Sequence, residues 1–174
     1  QYLDFSKAFD KVPHKRLIQK LKCYKFPSDI INWIEAWLEH RRQRVVINGE
    51  HSQWQEVISS VVQGSVLGPI LFVIYINDID GCLGAMEGIA PKFADDTKIA
   101  KVVKDPQTAM EMQAIISELE AWCTRWGMQF NVDKCCIMHL GHNNPGVEYK
   151  MNGRTLATAT NQKDLGINIS DKIS

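Results

Sequence analysis

Between Asp105-Pro106 and Gly127 runs a segment that reads as one long amphipathic helix, and it limits what the rest of the chain can be. Asp105 suits the N-cap, Pro106 suits the first turn where a missing N–H costs little, and Gly127 can adopt the left-handed conformation that ends a helix. Met112, Ile115, Leu119, Trp122 and Trp126 recur between them at helical spacing as an apolar seam. A seam of that length must be covered by a sheet or by other helices.

The remaining segments offer both. Gln1 to Phe5 reads as a buried first strand. Pro13 opens a helix with Leu17, Ile18 and Leu21 on one side, and it stops near Pro27. Ser28 caps a second, in which Ile30, Ile31, Ile34, Trp37 and Leu38 form a broad apolar face ahead of the basic run Arg41, Arg42, Arg44. Two β-prone stretches, Arg44 to Ile47 and Gln53 to Ile58, flank Asn48-Gly49 and predict an inserted ribbon over residues 41–58. Gly64 and Gly68-Pro69 lead into a helix over Ile70 to Asn77 that is apolar on all sides and is expected to be central.

Pro91 to Ala100 reads as strand, Asp-Asp, strand, with the acids where the chain reverses. After the long helix, Cys135 to Leu140, Glu148 to Met151 and Leu165 to Ile169 are short strands. This order is that of a split β-α-β-β-α-β sheet with helices packed on one face, a ferredoxin-like α+β fold.

Composition sets outer bounds. The 174 residues, 45% apolar and 23% charged, are ordinary globular usage and suit one compact domain, excluding disorder and collagen-like repeats. The longest apolar run, Val66 to Ile76, is about half of the roughly 20 residues that cross a bilayer, so no membrane span is expected. Twenty basic and twenty acidic residues cancel, so any nucleic-acid function must come from a local site and not from net charge. Five cysteines without C-x-x-C spacing fit a reducing intracellular compartment, nucleus or cytoplasm. The opening on Gln1, already in strand, reads as a cut from something longer.

Three acids stand out: Asp4 at the end of the first strand, and Asp95 and Asp96 at the hairpin. Alone, an Asp-Asp pair is a good turn sequence. In the split topology, however, these two strands are neighbours. Carboxylates a few ångströms apart repel by about 4 kcal/mol at an effective dielectric near 20, so converging them calls for a counter-charge. A divalent cation provides it, and oxygen-only ligands suit Mg²⁺. Paired ions of this kind serve in-line phosphoryl displacement, which makes nucleotidyl transfer the reaction class.

Along nearly its whole length the chain resembles the palm of a reverse transcriptase of the non-LTR, LINE-like kind. "YLDFSKAFDKVPH" at Tyr2 to His14 resembles that family's first palm motif, "QGSVLGPILFVIYINDI" at Gln63 to Ile79 the second, and "FADD" at Phe93 to Asp96 the third. "GMQFNVDKC" at Gly127 to Cys135 resembles the fourth, and "KDLGINI" at Lys163 to Ile169 the primer grip. The resemblance implies an RNA-directed DNA polymerase acting on an RNA template, a DNA primer and deoxynucleoside triphosphates, with two Mg²⁺ ions that Mn²⁺ can replace.

It also implies roles. Asp4 and Asp95 would ligate both ions, Asp96 would be the second acid of the pair, and the carbonyl of Phe5 would complete one sphere. Phe9 would close the space beneath the sugar against a 2′-hydroxyl. Gln63 and Gly64 would contact the incoming nucleotide, Lys134 would protonate the departing pyrophosphate, and Leu165-Gly166 would lie near the primer end. Val62 stands where the family usually has Pro. The fingers are largely missing and the thumb is missing, so the isolated fragment is expected to be inactive or weakly active.

The same residues admit other readings. An inert remnant or a nucleic-acid-binding module of a decayed element would keep the fold without the chemistry. A nucleotide cyclase would share a two-metal sheet, but Phe9 and Gln63-Gly64 speak against it. Cys135, Cys136, His139 and His142 suggest zinc, yet adjacent strand residues point to opposite faces. Arg41, Arg42 and Arg44 suit template phosphates or a solvated face equally well. Trp33, Trp37, Trp122 and Trp126 recur at helical spacing and are expected in the core.

Overall fold

A computed structural model of the chain describes residues 1–84, 88–93, 96–141 and 144–172. Two compact units form, Gln1–Ser6 with Asp78–Ser174, and Lys7–Asn77. The secondary structure is mixed α and β.

The first unit is built on a five-stranded sheet, in the order Ala157–Thr158, Cys136–Ile137, Tyr2–Leu3, Asp96–Lys98, Lys92–Phe93. Tyr2–Leu3 is its central strand. It pairs antiparallel with Asp96–Lys98, Tyr2 opposite Lys98 and Leu3 opposite Thr97, and antiparallel with Cys136 on its other side. Lys92–Phe93 closes a hairpin on Asp96–Lys98 with Phe93 opposite Asp96. Ala157–Thr158 lies parallel to Cys136–Ile137 at the edge. Two residues are too few to carry an alternating pattern, so the sequence did not announce that fifth strand.

The long helix is Pro106–Trp126. The Asp105 carboxylate accepts from the Thr108 N–H at 2.7 Å, while the Thr108 hydroxyl accepts from the Asp105 N–H at 3.1 Å, a reciprocal capping box. At the far end Gly127 takes φ 72°, and the Met128 N–H returns to the Cys123 carbonyl at 2.9 Å. That closes the helix as expected of a left-handed stop. Met112, Ile115, Ile116, Leu119, Trp122 and Cys123 are buried along the seam. The Gln113 side chain clamps the hairpin of Lys150–Met151 and Arg154–Thr155, donating to the Lys150 carbonyl at 2.8 Å and accepting its N–H at 2.9 Å.

The second unit holds the helices His14–Cys23, Ser28–Leu38 and Leu67–Ile76. Their core is Leu17, Ile18, Leu21, Ile31, Ile34, Leu38, Leu71, Phe72 and Tyr75. Lys20 is buried among them, its ammonium donating to the Tyr75 carbonyl and lying 4.9 Å from that ring's centroid. The ribbon pairs Arg42 with Glu56 and Gln43 with Gln55, then Val46 with His51 and Ile47 with Glu50. Asn48 and Gly49 turn it with φ 51° and 86°, the positive angles a two-residue hairpin needs.

Three expectations are corrected. The apolar helix starts at Leu67, three residues before Ile70, because the Ser65 hydroxyl accepts the Gly68 N–H at 2.9 Å and so caps the added turn. Nor is it central on every side: Val66, Ile70 and Val73 are exposed at 86%, 51% and 50%. Those residues share one stripe, and apolar character alone does not guarantee that every stripe is covered. Likewise Trp122 is buried, but Trp37 and Trp126 are half-buried and Trp33 is 57% exposed. In Ser28–Leu38 the covered stripe runs through Ile31, Ile34 and Leu38, which turns Trp33 outward.

Candidate active site

Asp4 stands at the end of the central strand. Its backbone is fixed from the far side of the sequence, the Asn131 N–H donating to the Asp4 carbonyl and the Ser6 N–H to the Gln129 carbonyl, both at 2.8 Å. Between them Phe5 bridges Phe130, and the two rings stack with centroids 4.5 Å apart. The Trp122 ring lies 6.3 Å from Phe5. A packed aromatic cluster therefore anchors the residue next to the acid.

Leu3 and Thr97 are paired and buried, so alternation sends Tyr2, Asp4, Asp96 and Lys98 to the other face. Continuing that register places Asp96 across from Asp4 on the adjacent strand. Asp4 and Asp96 line one small cavity of about 70 Å³, together with Lys134 and the strand residues Gln162, Lys163 and Asp164. The Lys134 ammonium is 3.6 Å from an Asp4 carboxylate oxygen, and its side chain is 65% exposed. An exposed pair of that kind contributes at most about 1 kcal/mol to stability. Opposite, Lys98 forms an ion pair with Asp164, and both side chains are largely covered. Burial, followed by the charge of Asp164, pushes the Tyr2 phenol above its usual range.

Cys135 stands behind this face. The Asp4 N–H donates to its sulfur at 3.5 Å, and its thiol reaches the Asp4 carbonyl at 3.8 Å. Burial pushes that thiol up to about 11. Cys136 instead reaches the Gln162 side chain at 3.7 Å, so the adjacent thiols serve different neighbours.

Carboxylate oxygens beside solvent are the donor set that a hard, partly hydrated divalent cation takes. Asp4 and Asp96 fit that description; Asp95 lies outside the described residues. Among the described residues no three His, Cys, Asp or Glu side chains gather as a ready metal cage. Two protein carboxylates with water and substrate oxygens suffice for Mg²⁺.

The other expected residues divide between the units. Leu165 and Gly166 form the tip of a hairpin between Asn161–Asp164 and Ile167–Ser170, with φ 46° and 87°. The first strand of that hairpin lines the cavity. Phe9, Gln63 and Gly64 belong to the second unit. There the Phe9 ring stacks on buried Phe72 at 4.6 Å, and the Gln63 amide donates to Asp10 at 3.4 Å. Gly64 has φ 83° and open space where a Cβ would project.

Tyr2, Lys98, Gln162, Lys163 and Asp164 also line the cavity; none has a role of its own in the sequence reading, although Tyr2 opens the first palm motif and Lys163-Asp164 the primer-grip motif. Period-two alternation could have found the first two, because they share a face with Asp4 and Asp96. Only the primer-grip resemblance of Lys163–Ile169 points the 163–164 stretch there.

The model of the reverse transcriptase (RNA-dependent DNA polymerase) family matches residues 1–169. The RNA-directed DNA polymerase from mobile element jockey of Drosophila melanogaster is 29% identical over 182 residues, covering 99% of this chain and 20% of that relative. The probable RNA-directed DNA polymerase from transposon BS of the same species is 32% identical over 142 residues, 76% of this chain and 15% of the relative. A Pol polyprotein from a type-1 retrotransposable element R2 of Nasonia vitripennis is 27% identical over 169 residues, 92% of this chain and 16% of the relative. The chain thus spans about a fifth or less of the length of these curated relatives. With the acid-bearing strands, their register and these matches together, the chain belongs to the reverse transcriptase family, in the non-LTR, LINE-like group carried by mobile elements.

Proposed function

We propose that this chain is the palm of an RNA-directed DNA polymerase, which adds deoxynucleotides to a DNA primer on an RNA template, with Asp4, Asp95 and Asp96 as its acidic centre. One observation carries the reading: Asp4 and Asp96 sit in register on adjacent strands and face a single cavity with Lys134. The strand order Cys136–Ile137, Tyr2–Leu3, Asp96–Lys98, Lys92–Phe93, with antiparallel neighbours throughout, supports the split βαβ palm of a right-hand polymerase.

Asp4 and the Asp95-Asp96 pair would hold two Mg²⁺ ions, with the Phe5 carbonyl as a further oxygen. When bound, the ions stabilise charge on the attacking and leaving oxygens of phosphoryl transfer. The chain's own groups do the rest. Lys134 has an exposed ammonium beside Asp4, suited to giving a proton to pyrophosphate as it departs. Phe9, half-buried on Phe72, is a rigid wall suited to excluding a sugar 2′-hydroxyl. The exposed Gln63 amide and the side-chain-free Gly64 suit contact with the nucleotide, and the Leu165-Gly166 tip suits the primer end.

Calorimetric titration with Mg²⁺ tests the centre. Asp4→Asn and Asp95→Asn should each weaken binding by about tenfold or more, since each removes a charged ligand. Binding equal to wild type in both variants would assign the chain to the inert-remnant reading. In primer extension with Mg²⁺ the isolated chain should show little turnover, because positioning of the triphosphate contributes several powers of ten. Robust cDNA synthesis would show that the chain needs no further subdomain.

A further inference from the structure

Among the described residues, the hairpin of Asn161–Asp164 and Ile167–Ser170 pairs with itself and with no strand of the five-stranded sheet. Its base is fixed by backbone. The preceding edge strand lies on Cys136–Ile137, the Ala159 N–H donates to the Ile137 carbonyl at 2.8 Å, and the Asp171 N–H donates to the Thr160 carbonyl at 2.9 Å. The tip lacks apolar support, because Leu165 and Ile167 are exposed at 57% and 69%. A two-stranded hairpin is marginal in water, so side chains must fix its far end.

Alternation turns Gln162 and Asp164 to the sheet and leaves Asn161 and Lys163 exposed. Near the base the Cys136 thiol donates to the Gln162 side-chain oxygen at 3.7 Å, a weak bond between neutral groups. Next to the tip Asp164 meets the Lys98 ammonium in an ion pair whose side chains are 14% and 21% exposed. Water competes little for charges covered to that extent, and loss of either partner leaves the other uncompensated. Lys98 in turn lies two residues from Asp96 on the same strand and the same face, about 7 Å along it.

We propose that Lys98 and Asp164 are positioning residues, whose ion pair latches the tip of this hairpin to the strand that carries Asp96. The Leu165-Gly166 turn directly follows Asp164, so the latch sets that turn at a fixed distance from the acidic cavity. Without it the hairpin pivots about its base. The use of the latch rests on the polymerase reading, in which the turn meets the primer end: a fixed tip holds the primer's 3′-hydroxyl where the carboxylates act. Neither residue touches the reacting atoms.

The test uses the 174-residue chain with Lys98→Met, with Asp164→Asn, and with Lys98→Asp and Asp164→Lys together, which exchanges the charges. Without nucleic acid, hydrogen exchange across Asn161–Ser170 should be about tenfold faster in each single variant, while the Pro106–Trp126 helix stays as protected as in wild type. The charge exchange should return the hairpin to within about threefold of wild type. A DNA primer ending in 4-thiothymidine, annealed to an RNA template, gives the second measurement. Its cross-links to residues 163–167, located by mass spectrometry, should fall about fivefold or more in the single variants and return with the charges exchanged, which a contact that only adds stability would not produce. Wild-type hairpin exchange or wild-type cross-linking in both single variants would overturn the latch, as would a charge-exchanged protein no better protected than they are. Where a single variant fails to fold, the charge-exchanged protein decides alone by its protection relative to wild type. A wild-type chain that gives no cross-link there, with hairpin exchange as expected, would remove the primer reading and leave the latch standing.

Discussion

Truncating Phe130 to alanine should unseat the aromatic cluster under Asp4, and its cost can be worked from the structure. The ring is 3% exposed and stacks on Phe5 at 4.5 Å with an interplanar angle of 20°. Removing a buried phenylalanine to alanine costs about 3–5 kcal/mol in lost burial and cavity. Of that, about 0.5–1.5 kcal/mol belongs to the ring–ring contact and should also be lost in Phe130→Leu, which keeps most of the volume. For a chain of this size each kcal/mol moves Tm by about 2–4 °C, so Phe130→Ala should lower it by about 6–20 °C and Phe130→Leu by about 1–6 °C. Urea unfolding followed by circular dichroism gives the free energies. Hydrogen exchange at the Asn131 amide, which donates to the Asp4 carbonyl, shows whether the local anchor loosens with the core. A loss below about 1.5 kcal/mol for the alanine variant would refute the idea that this cluster holds the acidic strand end.

Three more expectations follow from named contacts. Gln113→Ala removes both hydrogen bonds to the Lys150 backbone and should cost about 1–2 kcal/mol in denaturant unfolding, with faster exchange in the Lys150–Thr155 hairpin. Burial pushes Cys82 and Cys135 up to about 11 and Cys123 up to about 12, whereas Cys23 is exposed; iodoacetamide at pH 8 should therefore label Cys23 first, and mass spectrometry of native and unfolded protein should separate it from the buried thiols. The Thr108 N–H and hydroxyl hold the Asp105 carboxyl below its usual range, so its contribution to the helix is complete above the unfolded carboxylate value of about 4 and is lost as pH falls through the lower folded one. Asp105→Asn should flatten that acid dependence of helicity at 222 nm.

The parts of this structure legible in sequence are those set by nearby residues. The long helix could be read end to end because its cap, its seam and its terminating glycine are all local signals. The Asn48-Gly49 turn was legible for the same reason. Periodicity said which residues of Ser28–Leu38 share a face but not which face finds a partner, hence the exposed Trp33. Lys20 gave no warning of burial, since a lysine in an amphipathic helix reads as solvated until Tyr75 supplies a carbonyl and a ring. At the candidate site, the acids and Lys134 stood out through their motifs. Lys98 did not, and Asp164, though inside the primer-grip motif, carried no sign of its pairing with Lys98, because that contact is fixed by packing between segments far apart in the chain.

That separation matters while the protein is being made. The strand bearing Asp4 leaves the ribosome well ahead of its partners, which are at positions 97–98 on one side and 136 on the other. At about 5–20 residues per second it must wait several seconds for the first and longer for the second. Throughout that interval Leu3 and Phe5, apolar residues destined for the interior, have nothing native to cover them. A nascent chain stalled before Cys136 should therefore be a target for chaperones, and slowing translation upstream of that point should lower the yield of soluble protein.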